Sequence, residues 1–229
     1  MKIICWSALL LFGLILTASP AFSQSDSLPS GELAILLSPQ HLFLRGYHLA
    51  VESKPKRLKN QGILFSARLY NGSTRFADQF TKREEEPEDF SRVKGLGAEL
   101  QHRFYLPHLF RHSNAHHYLA YGVSYHHFNI DFEKEGWVQD LGPDGLWYYQ
   151  YRYSNFTEKI NRLGAIALFG TQQRYFSDRI LTDGSIGIGY NHSTATSTFH
   201  YLRFDRNLLD YGYSGFYFFL GFKIGVILR

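Results

Sequence analysis

Cysteine is almost missing from this chain of 229 residues, because the only one is Cys5, close to the N-terminus. The remainder of the chain has no thiol for a disulfide, a thiolate nucleophile or a zinc–thiolate site. A secreted eukaryotic domain of this size often carries disulfides. An exported chain without them is therefore more typical of a bacterial envelope protein.

Long apolar runs are absent beyond the N-terminus. The chain starts with Lys2, an apolar run over 8–16 and the small-residue sequence Ala-Phe-Ser at 21–23. This order predicts a cleaved secretory signal peptide over residues 1–23, since the run is shorter than the roughly 20 residues of a spanning helix. The mean hydropathy of the chain is slightly polar, at −0.24. We therefore predict export of one domain, residues 24–229.

A strong charge of either sign is also missing. The net charge is only +4, and the densest basic run is "KPKRLK" at 54–59, so no nucleic-acid partner is predicted. The 11 histidines include neighbours at 116–117 and 126–127. Adjacent strand residues point to opposite faces, so neither pair can chelate a metal. The sequence predicts no metal site and no cofactor.

Alternating hydrophobicity is what the chain has in abundance. In "GFYFFLGFKIGVILR" at 215–229, every even position from Leu220 to Leu228 is apolar, while the odd positions include Gly221, Lys223 and Gly225. A strand sends alternate side chains to opposite faces, so one face can meet lipid while the other meets a polar or crowded interior. This pattern is typical of a transmembrane β-strand.

Seven further segments are predicted strands, and together with the C-terminal strand they predict the fold. They lie at 32–38, 46–53, 61–70, 94–106, 116–130, 158–174 and 180–190. The segment at 158–174 is apolar on both faces, so the pattern does not orient it. Eight such segments predict an all-β protein, an eight-stranded antiparallel transmembrane up-and-down β-barrel.

The connections between the segments alternate in length. Long ones at 71–90, 133–157 and 195–213 are predicted to be external loops, and short turns are predicted at the other end. The aromatic run "WYYQYRY" at 147–153 is predicted to lie in or near the external membrane interface. Loops on a rigid scaffold commonly carry specificity, so the three long loops are the predicted binding regions.

Three stretches together resemble the small eight-stranded outer-membrane barrels that are common in Bacteroidota. They are "GAELQHRFYLP" at 97–107, "DGSIGIGY" at 183–190 and the amphipathic C-terminal strand. The resemblance implies a location in the cell outer membrane, with membrane lipids and lipopolysaccharide as surroundings. It also implies the barrel-assembly machinery as a partner during biogenesis.

Charged residues on the inward faces predict a lumen charge network, because a small barrel is filled by side chains. Its predicted members are Glu52, Arg68, Glu99, Arg103, Asp183 and Lys223. The Lys223 ammonium is predicted to pair with Glu52, Glu99 or Asp183, since an unpaired buried charge costs several kcal/mol.

The sequence leaves three functions open. We favour a non-enzymatic structural or surface-interaction role. A lipid A or phospholipid hydrolase is one alternative, because Ser124 and His126 share a face and a symmetric turn at 107–115 sets Ser124 opposite Glu99. A hydroxyl, an imidazole and a carboxylate are the parts of an activated nucleophile. A pore for small solutes is the other alternative, because many inward positions are glycine or alanine.

Overall fold

The computed structural model describes residues 31–43, 46–58, 60–73, 91–106 and 115–228. The predicted signal peptide lies outside these residues and stays a prediction. The described elements are the strands β1 (Glu32–Leu37), β2 (Gly46–Lys54), β3 (Gln61–Ser73), β4 (Ser91–Leu106), β5 (Ala115–Leu141), β6 (Trp147–Tyr175), β7 (Ile180–Ser197) and β8 (Gly215–Leu228), and the helical turn α1 (Gln40–Phe43) between β1 and β2. No helix in the described ranges is long and apolar enough to cross a membrane.

The eight strands form one closed ring. Each strand pairs antiparallel with its neighbour in the chain, and β1 pairs with β8 from Leu33↔Leu228 to Leu37↔Ile224. The predicted eight-stranded antiparallel β-barrel is therefore confirmed. The register Glu99↔Ser124, expected from a symmetric turn, is also found.

The two longest strands extend far beyond the rest of the barrel. Pairing of β4 with β5 ends at Ser91↔Phe132, and pairing of β6 with β7 ends at Glu158↔Ser197. Beyond these points, among the described strands, β5 and β6 pair only with each other, as far as Leu141↔Trp147. We call this two-stranded projection, residues 133–157, the arm. The end of the barrel that carries it is the arm end, and the opposite end is the turn end.

The arm replaces a predicted loop, so the prediction for 133–157 is wrong. Charged residues and glycines suggested a loop, but a hairpin satisfies its backbone through cross-strand hydrogen bonds and needs few apolar side chains. The arm ends in a tight turn in which Gly145 has a positive φ of 77°. By contrast, the predicted loop at 195–213 is found over residues 198–214.

Other connections are described only in part. The connections between β2 and β3 and between β6 and β7 lie at the turn end, where short turns are predicted at 54–60 and 175–179. The predicted loop at 71–90 begins as strand, because β3 runs to Ser73, and residues 74–90 lie outside the described residues. The predicted short turn at 107–115 also lies outside them, except for Ala115 at the start of β5.

The outer surface of the barrel carries a continuous apolar belt. Its exposed members include Tyr47, Leu49, Ile63, Phe65, Leu69, Leu96, Leu100, Leu119, Tyr121, Val123, Tyr125, Leu163, Ile186, Ile188, Tyr190, Phe216, Phe218 and Leu220. From Leu96 to Phe104 the strand extends roughly 26 Å along its own direction. Because barrel strands tilt by about 40° from the barrel axis, this corresponds to about 20 Å along the axis, compared with about 25 Å for the apolar band of outer-membrane barrels. The belt is thus close to the height that a bilayer requires.

The belt ends abruptly at the arm end. On five adjacent strands the outward side chain changes from apolar to polar within two residues: Leu69 to Asn71, Leu96 to Lys94, Tyr125 to His127, Leu163 to Asn161 and Tyr190 to His192. Because the change occurs at neighbouring positions of the sheet, it marks one boundary around this side of the barrel. Residues beyond it, including the arm, lie outside the belt.

Candidate functional site: the lumen and the arm end

A buried polar network fills the turn end of the lumen and centres on Arg103. The guanidinium Nη1 donates to Asp183 Oδ2 at 2.5 Å and lies 3.4 Å from Glu52 Oε1, and none of the three side chains is more than 1 % exposed. Its Nε and Nη2 donate to Gln101 Oε1, and its Cζ lies 4.4 Å from the centre of the Tyr118 ring. The predicted members Glu52, Arg103 and Asp183 are therefore brought together.

Residues that sequence analysis missed complete this network. Tyr118 donates its hydroxyl hydrogen to Asp183, and Tyr105 donates to Glu52. Gln172 Nε2 donates to Glu52 Oε2 at 2.6 Å, while its Oε1 accepts from Lys54 Nζ at 3.0 Å. Gln172 was missed because the segment 158–174 could not be oriented from its pattern. In the structure Ile166, Leu168 and Gln172 are buried and Leu163 is exposed.

A second polar group occupies the middle of the lumen. Arg68 donates through Nη2 to Glu99 Oε2, and Gln101 Nε2 donates to Glu99 Oε1 at 2.7 Å. Arg68 Nη1 also lies 3.1 Å from His126 Nε2. Because a guanidinium can only donate, Nε2 of His126 is the acceptor and the ring hydrogen of the neutral imidazole is on Nδ1. The predicted members Arg68 and Glu99 are thus in direct contact.

Lys223 points inward, as its position in the alternating strand predicts, and it is only 5 % exposed. Its backbone lies opposite Asp183 in the β7–β8 register. However, the ammonium has no hydrogen-bond partner within the described part of the chain. The predicted pairing of Lys223 with Glu52, Glu99 or Asp183 is therefore wrong. The reason is competition, because Arg103 and Arg68, with their partners, already occupy these carboxylates.

The hydrolase alternative depends on Ser124, His126 and Glu99, and the structure does not assemble them. All three face the lumen and are buried. Glu99 accepts from Arg68 and Gln101, and His126 Nε2 accepts from Arg68. Among the described contacts no hydrogen bond joins Ser124 to His126 or Glu99, so the structure does not favour the hydrolase alternative. A lipid ester would also have to enter a packed interior.

The pore alternative conflicts with the packing of the described interior. Tyr105, Tyr118, Ala120, Ile166 and Leu168 form an apolar cluster beside the Arg103 network. At the arm end a larger cluster covers the lumen. It contains Tyr70, Val93, Phe128, Ile130, Phe132, Phe156, Ile160, Phe199 and Phe204. The inward side chains of the described strands therefore fill the barrel.

The loop 198–214 supplies the lid of this filled lumen, and we call the loop with its aromatic cluster the cap. Phe199 and Phe204 pack on Phe132 with ring centres 5.9 and 5.8 Å apart, both edge-to-face. Arg203 lies 5.0 Å from the centre of the same ring. Aromatic pairs of this geometry contribute beyond the area that they bury, so Phe132 is the centre of the cap.

A carboxylate on β6 holds the cap loop through its backbone. Glu158 accepts hydrogen bonds from the backbone N–H of Arg203 at 3.0 Å and of Phe204 at 3.4 Å. Glu158 lies beyond the apolar belt and is fully buried beneath the loop. Burial raises the pKa of this carboxyl, and the two backbone N–H groups oppose the shift.

Docking of the cap loop is therefore expected to weaken as pH rises. A raised folded-state pKa means that Glu158 contributes its full stabilisation below its unfolded pKa of about 4.3 and loses it as pH rises through the folded value. Hydrogen exchange at Arg203 and Phe204 between about pH 4 and 8, corrected for intrinsic rates, measures this. Glu158→Gln should flatten the profile, and an equal pH dependence in both proteins would contradict the assignment.

The outward face of the arm is unusually aromatic. Trp137, Trp147, Tyr149, Tyr151 and Tyr153 are each more than half exposed. Trp137 and Tyr151 are cross-strand partners, with ring centres 5.6 Å apart. The run at 147–153 was predicted in or near the membrane interface, but it begins ten residues beyond Leu163, where the belt ends. This prediction is wrong because the strand continues outward as the arm.

The described residues hold no cluster of three or more potential metal ligands. His41 and His48 stack with ring centres 3.7 Å apart, an arrangement of ring faces that does not direct two nitrogens at one ion. The histidines at 108 and 112 lie outside the described residues.

No protein-family model matches the chain, and no curated protein matches it. Among solved structures, the chain is similar to a major outer membrane protein from Thermus thermophilus, with 10% identity and a TM-score of 0.48 over 86% of this chain and 98% of that one. CarO from Acinetobacter baumannii shares 11% identity, with a TM-score of 0.36 over 90% and 99% of the two chains. CarO2 from the same organism shares 12%, with a TM-score of 0.37 over 88% and 98%. The likeness concerns overall fold, so the lumen residues are interpreted from their own contacts.

Proposed function

We propose that this chain is an outer-membrane β-barrel protein with a non-enzymatic surface-interaction role, in which a sealed barrel anchors a rigid arm outside the cell. The observation that carries the proposal is the apolar belt with its sharp polar boundary on five adjacent strands. The arm end is the external end, and the turn end faces the periplasm.

The belt and the lumen together favour lipid as the surrounding solvent. Soluble monomers rarely expose a contiguous apolar patch larger than a few hundred Å², whereas here apolar side chains surround the barrel. The charged side chains are inside, where Arg103 and Asp183 are fully buried. Closure of the sheet leaves few unpaired backbone groups, which a hydrocarbon environment demands. Membrane lipids and lipopolysaccharide are thus its proposed neighbours, and the barrel-assembly machinery is its proposed partner during insertion.

The arm is the proposed interaction element. It projects about 30 Å, since its nine residues from Glu133 to Leu141 each add roughly 3.3 Å. Its backbone hydrogen bonds keep it extended, and the cap packs against Gly136 and Val138 on its inner face. Exposed tyrosine and tryptophan side chains provide large contact areas at low cost in conformational entropy. A sealed lumen with an aromatic arm therefore supports surface recognition better than transport or catalysis.

Single introduced cysteines test the orientation, because Cys5 is the only natural cysteine and lies in the predicted signal peptide. Tyr149→Cys, on the arm, is expected to react with a membrane-impermeant maleimide on intact cells. The matched variant Arg57→Cys lies in the turn at 55–60, also exposed, and should react only after the outer membrane is permeabilised. The measurement is the labelled fraction of each variant by mass spectrometry.

Two outcomes would contradict the proposal. Equal labelling of both variants in the soluble periplasmic fraction would exclude a membrane location. Labelling of Arg57→Cys alone on intact cells would reverse the orientation and remove the arm from the cell surface. Folding of the labelled protein is checked by its mobility on SDS gels, which should change when the sample is boiled, as for a barrel that resists SDS.

A further inference from the structure

A groove on the outer surface of the barrel crosses β3, β4 and β5 at the boundary of the apolar belt. We call it the rim groove. Its volume is about 550 Å³, and its lining residues are Tyr47, Leu69, Tyr70, Asn71, Lys94, Gly95, Leu96, His127 and Asn129. Because it lies where the outward side chains change from apolar to polar, the rim groove borders both the hydrocarbon layer and water.

The register of the strands explains the shape of the rim groove. The wall nearer the arm is a row of cross-strand partners: Asn71, Lys94 and Asn129. The opposite wall is the next outward row of partners: Tyr47, Leu69, Leu96 and His127. The two rows are roughly 7 Å apart, since each residue of a strand advances about 3.3 Å. The backbone at Tyr70 and Gly95 lies between them and forms the floor.

Positive charge lies along the wall nearer the arm. Lys94 is exposed, and no ion pair of the described residues includes it. Arg92, in the next outward row, donates through Nη2 to Asn71 Oδ1 at 3.3 Å, which uses one of its five N–H hydrogens. The carboxylate opposite Arg92 in the register is Asp131, and it accepts from Thr157 Oγ1 at 2.8 Å. Within the described residues, this wall therefore presents cationic donors to an anion.

The opposite wall is mostly apolar and belongs to the belt. Leu69 and Leu96 are 59% and 58% exposed. A ligand that fills the rim groove therefore meets hydrocarbon on one side and cations on the other, within one side-chain length. A phosphorylated lipid has this arrangement of groups, because its anionic headgroup is joined directly to its acyl chains. A free phosphate ion would gain nothing from the apolar wall.

We propose that the rim groove binds the phosphorylated headgroup of an anionic lipid of the outer leaflet, such as lipid A. The phosphate accepts hydrogen bonds from Lys94 Nζ and from the Arg92 guanidinium, a combination of a point charge and a planar donor that suits phosphate. The acyl chains lie along Leu69 and Leu96. The inference rests on the membrane location and orientation proposed above, but it does not involve the arm.

Binding of lipid A to the folded protein in detergent micelles tests the proposal. Native mass spectrometry measures the fraction of protein that retains the lipid across a titration. Lys94→Gln should weaken binding about fivefold, the factor that one lysine contributes near an anionic lipid surface. Both Lys94 and the residue exchanged in the control below are exposed, so the variants should fold, which their heat-dependent mobility on SDS gels checks.

The matched control is Lys159→Gln. Lys159 is an exposed lysine in the same row, because it pairs with Asn129, which pairs with Lys94. It does not line the rim groove. Two strand spacings separate the two lysines, or about 10 Å, which is the distance over which salt screens exposed charges. Lys159→Gln should therefore change lipid A binding by less than about twofold.

Two further ligands identify the recognised group. Lipid A from which the phosphates have been removed should bind the wild type at least as weakly as intact lipid A binds Lys94→Gln. Inorganic phosphate should not displace intact lipid A, because it makes no contact with Leu69 and Leu96.

Four results would overturn the proposal. They are no retention of lipid A by the wild type, equal weakening by Lys94→Gln and Lys159→Gln, unchanged binding after removal of the phosphates, and displacement by inorganic phosphate, which would assign the groove to a free anion. The labelling of Tyr149→Cys separates this inference from the proposed function. Surface labelling together with lipid binding that does not depend on Lys94 overturns the rim groove alone, whereas a soluble periplasmic protein overturns both.

Discussion

Arg103→Met is expected to lower the free energy of unfolding by about 3–5 kcal/mol, because removing one partner of a buried ion pair leaves the other charge uncompensated. Asp183 and Glu52 would both lose their cation while remaining almost fully buried. Methionine fills much of the arginine volume, so the loss reports charge more than packing. Urea unfolding in detergent micelles, followed by circular dichroism of the sheet, measures it.

Two controls make the Arg103 experiment specific. Arg152→Met removes an ion pair with Asp140 of 3.0 Å on the exposed arm, where the side chains are 50% and 38% exposed. Solvent screening limits that pair to about 0–1 kcal/mol. Adding Asp183→Asn to Arg103→Met removes one stranded charge and should recover part of the loss. A loss below about 1 kcal/mol for Arg103→Met would mean that water reaches this end of the lumen and that the network is screened.

Phe132→Ala is expected to release the cap. Replacing a buried phenylalanine by alanine costs about 3–5 kcal/mol, from lost apolar burial and from the cavity that remains. Phe132 contacts Phe199 and Phe204, so much of this cost falls on docking of the loop 198–214. If about 3 kcal/mol falls there, the undocked loop becomes roughly 100-fold more populated. Trypsin cleavage after Arg203 or Arg206, timed by mass spectrometry, should accelerate accordingly.

The matched control for the cap is Tyr149→Ala. This aromatic side chain is 67% exposed on the arm and lies away from the cap, so its loss should leave cleavage of the loop unchanged. The barrel should stay folded in both variants, because the belt and the Arg103 network are distant from Phe132. Equal cleavage rates in wild type and Phe132→Ala would show that the aromatic cluster does not hold the loop.

Sequence alone predicted the barrel because one side of each strand is constrained by its surroundings. On β4, for example, Leu96 and Leu100 had to face outward if Glu99 and Arg103 faced inward, and a one-residue slip would exchange the two sets. The register between Glu99 and Ser124 followed from the symmetry of the turn. Around the belt, the alternation of apolar and polar positions therefore determines both strand orientation and neighbour pairing.

The rest depends on contacts that alternation does not encode. Lys223 was correctly predicted to face the lumen. Alternation does not show which cation contacts Asp183, and in the structure that cation is Arg103. Gln172 joins the network from a strand that is apolar on both faces. In the arm, exposed aromatic side chains recur at Trp147, Tyr149, Tyr151 and Tyr153, but the run was interpreted as an interface segment, so its alternation did not predict a strand. The cap is a tertiary contact between Phe204 and strands far away in the chain.

The shortness of β1 makes the wall of the barrel uneven. β1 has six residues, and its last pair with β8 is Leu37↔Ile224, although β8 continues as strand to Gly215. Where the apolar wall is shorter than the hydrocarbon layer, the bilayer thins beside it or the protein tilts toward that side. Either change costs fractions of a kcal/mol per Å of mismatch between the two heights. The barrel thus carries a thin spot in its lipid annulus. We expect acyl chains there to be shorter or more disordered than on the opposite side.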